Sequence, residues 1–254
     1  MIAALSVLVL TFLIAGCTSS TNSPSNAPTK KVTPAQKTTI ETSYDITAAL
    51  ADTIEALDAM TASIGFGNGT GGTVTVDGHG TTSVTMSWTG SATSGTATLT
   101  VKSGSTTVST YTITFTGTSV AGTTSLVTTL KGKTSKGSDL DLGINIVKVG
   151  TSTTATVTGN VTYSGETYRV SGGSTSDRTS KSASWGYVIT DIKTEITMTI
   201  AASYSSGAFS GTMTIATKRG VTLATATTNG DGTVTVKYVD GTTVTIDVFP
   251  NPSK

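Results

Sequence analysis

The sequence predicts a mainly β protein. Its strands, about a dozen, should form one large curved antiparallel meander, a half-barrel or barrel, packed on one N-terminal α-helix. Three observations carry this reading. From Thr73 onward, apolar residues alternate with Thr and Ser at period two, the mark of half-buried antiparallel strands. The runs are joined by short segments rich in Gly, Asn and Asp, as hairpins require. Only the stretch from Pro34 to Ile64 has the 3.6-residue period of an amphipathic helix. An open sheet of this size must curl, close or split, so a two-layer β-sandwich is the alternative.

The chain begins with an uncharged apolar run, Met1 to Gly16. It is shorter than the ~20 residues that cross a bilayer and fits the apolar region of a secretory signal. Ile14-Ala15-Gly16-Cys17 follows, an aliphatic residue and two small ones before the chain's single Cys. This segment resembles a bacterial lipoprotein signal peptide with its lipobox. The resemblance implies a signal over residues 1–16, acylation of Cys17 and a mature chain starting there, anchored to the membrane by lipid. Thr18, where an Asp would imply inner-membrane retention, points to the outer membrane or cell surface. The sequence departs from the pattern in having no Lys or Arg before Lys30. An ordinary secretory signal with an incidental Cys is the other reading. Residues 17–33, rich in Ser, Thr, Asn and Pro, have no apolar periodicity and read as a flexible tether.

A single domain over 34–254 then opens with the helix, 34–64. Thr33-Pro34-Ala35-Gln36 has the capping-box form with Pro at the first helical position; Thr42 is a second possible start. Ile46, Ala49, Leu50, Thr53, Ile54, Leu57, Met60 and Ile64 share one face, and Glu41, Asp45, Asp52, Glu55 and Asp58 share the other. Burying the large apolar side chains contributes roughly 10–15 kcal/mol before entropy. The expectation is a helix with the curved meander wrapped around it, its acidic face meeting the mildly basic body of the sheet or forming a polar patch for a partner. Gly67 to Gly72 matches the glycine fingerprint of dinucleotide-binding folds letter for letter, but follows a helix and opens a strand, the reverse of the required context.

The sheet is expected over 73–249. Period-two runs recur at 73–76, 84–88, 97–101, 111–115, 140–146, 155–163, 168–170, 188–200, 209–217, 221–227, 234–238 and 244–248. Thr makes up roughly a quarter of the chain, against a few per cent ordinarily. Being β-branched, it favours strands while presenting a hydroxyl to water, which explains why only 12% of residues are charged. Asn229-Gly230-Asp231-Gly232 and Asp240-Gly241 read as hairpin turns. Ser171 to Ser184, the longest polar stretch, reads as an exposed loop. Polar outer faces and 6% aromatic residues do not suit a transmembrane barrel, which needs an apolar band and aromatic girdles. Lipobox, tether, helix and meander in that order resemble the half-barrel envelope lipoproteins, a likeness of architecture only. It implies a concave face able to hold acyl chains.

Composition narrows the chemistry. One Cys excludes an internal disulfide, and one His excludes a multi-His zinc site. A net charge of +1 does not favour nucleic acid. No serine-hydrolase elbow, phosphate-binding loop or paired-His zinc motif occurs. His79 sits between glycines at an expected hairpin tip, without an orienting partner. Asp139 with Asp141, and Asp191 with Glu195, each share a face by even spacing, with Lys148 and Lys193 near for surface pairing. Trp88, Trp185 and Tyr187 are the candidate ligand contacts; core-edge packing is their other reading. From Glu41 to Asp77 there are six acids and no Lys or Arg, whereas from Lys102 on there are 13 basic and 9 acidic residues. The reading is therefore a lipid-anchored envelope protein with a non-enzymatic structural or binding domain, without cofactor or metal. The alternative is a carrier of lipid or another apolar ligand. An envelope protein partner is the remaining possibility.

Overall fold

Thr33 caps the helix as its sequence suggests. Its hydroxyl accepts the Gln36 amide at 3.3 Å, and its own amide donates to Gln36 Oε1 at 2.8 Å, so two orphan amides are satisfied reciprocally. The structure is a computed structural model. It describes residues 31–63, 71–78, 82–90, 93–120, 122–177, 179–205, 208–229 and 233–247. Cys17, the signal and tether through Lys30, Ile64 and His79 lie outside the described residues.

One helix, α1 (Pro34–Ser63), precedes β1 (Gly71–Asp77), β2 (Thr82–Gly90), β3 (Ser94–Ser103), β4 (Thr106–Val120), β5 (Thr123–Lys133), β6 (Asp139–Val149) and β7 (Ser152–Tyr163). Then come β8 (Glu166–Asp177), β9 (Ser182–Asp191), β10 (Thr197–Ser205), β11 (Ala208–Ala216), β12 (Thr222–Thr228), β13 (Thr233–Tyr238) and β14 (Thr243–Asp247). All 14 belong to one antiparallel sheet in which spatial order is sequence order. The strands thus make one sheet rather than two layers. The sheet is open, because β1 pairs only with β2 and β14 only with β13.

Two strands exceed the sequence count. β5 breaks the alternation: Thr128 points inward, where its hydroxyl bonds the Ile144 carbonyl at 2.9 Å, while Val127 points outward. The run 188–200 is two strands, since Asp191 accepts the amides of Lys193 (3.0 Å) and Thr194 (3.2 Å) and turns the chain. The expected loop at 171–184 is also strand, with β8 and β9 joined by a short turn. Its lack of apolar residues misleads, because Ser174 is buried opposite Trp185 while the backbone of β9 lies close against Gly172.

The acidic face of α1 meets the sheet. Asp45, Asp52 and Asp58 are buried along with Ile40, Tyr44, Ile46, Leu50, Leu57 and Met60. Glu41 and Glu55 are exposed. The sheet therefore wraps around the helix, as expected of a strongly curved meander. Buried hydroxyls make this possible by bonding back to the helix's own carbonyls. Ser43 bonds Thr39 O (2.9 Å), Thr47 bonds Ser43 O (2.8 Å) and Thr53 bonds Ala49 O (2.7 Å). Ala48, Ala49, Ala51 and Ala56, all buried, let the strands approach closely. At 1.5 Å per residue a helix of 30 residues is about 45 Å long. A strand of 15 residues, β4, is about 50 Å, so the helix can occupy most of the concave face.

Candidate functional site

The concave face is the natural place to look for a site, and α1 lies in it. Polar ties fasten the helix at several points. Asp45 accepts the hydroxyls of Thr134 and Ser138 at the β5–β6 turn, the latter at 2.8 Å. Asp58 accepts from Lys148 Nζ at 2.9 Å and from the Thr153 hydroxyl, at the other end of β6. Thr39 donates to the buried Asp191 at 3.0 Å. Lys37 reaches Asp240 at 3.5 Å and lies 4.7 Å from the centre of the Tyr238 ring. From Asp45 to Asp58 the helix rises about 20 Å. From Ser138 to Lys148 an extended chain runs about 34 Å, so the helix crosses the strands obliquely.

These ties revise two sequence expectations. Lys148 was read as a surface partner for strand carboxylates; it pairs instead with Asp58, and both side chains are nearly covered, at 12% and 5% exposure. Asp191 and Glu195 do not form a carboxylate pair on one face. Asp191 is buried, whereas Glu195 lies in the following turn with φ 54° and pairs with Lys218. Asp139 and Asp141 do share the convex face, pairing with Lys133 (2.8 Å) and Lys131 (3.4 Å), and Lys193 pairs with Glu166. Among the described residues, no group of three or more His, Cys, Asp or Glu is placed to hold a metal ion.

The candidate ligand contacts lie on two strands, β2 and β9. Trp88 is buried on β2, while Trp185 and Tyr187 face inward on β9; Trp185 is partly buried and Tyr187 fully buried. A packing rule explains Trp88, which faces Gly72 across the strand. Phe115 opposite Gly95 and Tyr111 opposite Gly132 repeat the arrangement. A Cβ at Gly72 would come within 2.4 Å of the Trp88 ring, and one at Gly95 within 2.7 Å of the Phe115 ring. The glycine leaves the space and the aromatic ring fills it. These pairings come from the register of neighbouring strands.

Burial of Tyr187 and Tyr44 raises both phenols well above the ordinary tyrosine range. Tyr111 is raised first by burial and then by the charges of Asp52 and Asp45, against a lowering bond from Ser109. Asp52 and Asp45 of α1 therefore lie toward Tyr111 on β4, while Asp58 meets Lys148 on β6.

Outside, the sheet presents hydroxyls in rows. Thr73 with Ser87 (3.0 Å), Thr75 with Thr85 (3.1 Å), Thr175 with Ser184 (2.7 Å) and Ser203 with Ser210 (2.9 Å) bond across neighbouring strands. One apolar group interrupts them: Val120, Val127, Val147 and Val149 stand exposed on β4, β5 and β6. No protein-family model, curated protein or solved structure matches this chain.

Proposed function

We propose that this chain is a lipid-anchored bacterial envelope protein whose β-domain has a non-enzymatic, structural or binding role. The observation that carries the reading is the burial of α1 on nearly all sides. The concave face, where a half-barrel would take a ligand, is given to the protein's own helix. Recognition then falls to the convex face and the sheet edges. The buried carboxylates Asp45, Asp58 and Asp191 are engaged in ties that hold the helix, which supports a structural use for them. The anchor rests on the lipobox resemblance at Cys17, and the outer membrane or cell surface on Thr18.

Metabolic labelling with a fatty-acid probe tests the anchor. Label on the wild type that is lost in Cys17→Ala is the expected result; label surviving that substitution removes the lipoprotein reading. Native mass spectrometry tests the rival carrier role. The domain should fly without bound lipid, and stoichiometric lipid would favour the carrier instead.

A further inference from the structure

Among the described residues, β1 and β14 each pair with one neighbour, and these two edges of the sheet match each other. β1 carries Thr73-Val74-Thr75-Val76-Asp77, and β14 carries Thr243-Val244-Thr245-Ile246-Asp247. Edge strands are ordinarily guarded by Lys, Pro, bulges or a covering segment. Neither of these contains Lys, Arg or Pro, and both pair with their single neighbour in unbroken register. Irregular register occurs instead at interior pairs, β3–β4 and β11–β12.

Their hydrogen-bonding phases also match. The Gly78 amide donates to the Thr82 carbonyl at 2.9 Å, continuing the β1–β2 register. Bonded and non-bonded pairs alternate along an antiparallel ladder, so Val74 and Val76 bond toward β2. Thr73, Thr75 and Asp77 therefore turn their amides and carbonyls to the free side. The Tyr238 amide donates to the Thr242 carbonyl at 2.9 Å, and the same count leaves Thr243, Thr245 and Asp247 turned outward on β14. An antiparallel match of Thr75 with Thr245 makes every outward residue a bonded pair. It also sets Val76 against Val244 and Val74 against Ile246, both on the concave side.

We propose that β14 of one copy adds to β1 of a second copy, continuing the sheet head to tail. The occupant is a second copy because the edge that complements each free edge belongs to this same chain, and within one chain the two are not paired. Such a heterologous contact propagates into chains or rings. It requires no lipid anchor and stands or falls apart from that reading.

The test uses the full chain carrying Cys17→Ala in detergent solution, which leaves no native thiol. One preparation adds Thr75→Cys, and a second, ¹⁵N-labelled, adds Thr245→Cys; both positions are exposed. A short bis-maleimide linker is applied to each alone and to their mixture. The expected result is mixed-isotope dimers from the mixture and little product from either alone. Products only within single variants, absence of intermolecular product, or cross-linking within one chain of the Thr75→Cys/Thr245→Cys double variant at high dilution overturns the proposal. Adding Thr75→Pro or Thr245→Pro removes an outward amide and should cut the mixed product at least about tenfold with the circular dichroism spectrum retained. Unchanged product from both folded proline variants also overturns it.

Discussion

Asp58→Ala should destabilise this protein far more than removal of a surface carboxylate, because it breaks a tie between helix and sheet. Asp58 is 5% exposed and Lys148 12% exposed, with Nζ 2.9 Å from the carboxylate, and Thr153 donates to the same oxygen. Removing one partner of a buried pair leaves the other desolvated and costs about 3–5 kcal/mol; Lys148 keeps a little water, so the lower end, about 3 kcal/mol, applies. With a urea slope of about 2–3 kcal/mol/M, the unfolding midpoint should fall by roughly 1–1.5 M. Asp139→Ala is the control, since its pair with Lys133 stands about 60% exposed on both sides and should contribute under about 1 kcal/mol. The assay is urea unfolding followed by circular dichroism on both variants, on Lys148→Ala and on Asp58→Ala/Lys148→Ala. The double variant should lose less than the sum of the singles, by about 1–3 kcal/mol. A midpoint for Asp58→Ala no lower than for Asp139→Ala, or strictly additive singles, would refute the argument.

Three further outcomes are expected. Gly172→Ala should lower stability by about 2–3 kcal/mol, seen as a fall in melting temperature, because Gly172 has φ 136° and a Cβ there would stand 2.1 Å from the Gly186 carbonyl oxygen; an unchanged melt contradicts the packing. Asp177 closes the β8–β9 turn, its pKa lowered to about 2 first by the Ser152 hydroxyl and then by the Ser180 amide. A carboxylate depressed on folding stabilises above its unfolded pKa and loses that effect as pH falls through the folded one. The Thr179 and Ser180 amide NMR shifts should therefore titrate near pH 2, and a midpoint near 4 rejects the turn. The phenols of Tyr44, Tyr111 and Tyr187, raised chiefly by burial, have the opposite sign of linkage. Their contribution is complete below pH ~10 and lost as pH rises above it. Absorbance at 295 nm should show them ionising only together with loss of circular dichroism, and ionisation in the folded state contradicts their burial.

What could be read from the chain alone was whatever depends on neighbours within a few residues. The alternation of Thr with apolar residues marked most strands, Thr33 and Gln36 marked the helix start, and Asp240-Gly241 marked a turn that forms with Gly241 at φ 85°. The antiparallel meander followed, because short hairpins leave little choice of partner. Period two failed at β5, where Thr128 turns inward, and at β8, where Ser174 is buried opposite Trp185. In both cases the cause is a partner strand.

The surroundings of α1 were decided by tertiary structure. A polar helix face is legible as solvent-facing only if solvent is what it meets. Here the acids meet Thr134, Ser138, Lys148 and Thr153, some ninety residues away in sequence, while the hydroxyls of Ser43, Thr47 and Thr53 are satisfied within the helix itself. The same threonines and aspartates that signal water in a local pattern become compatible with a core once such partners arrive. Which residues arrive depends on how far the sheet curls, a property of all its strands at once.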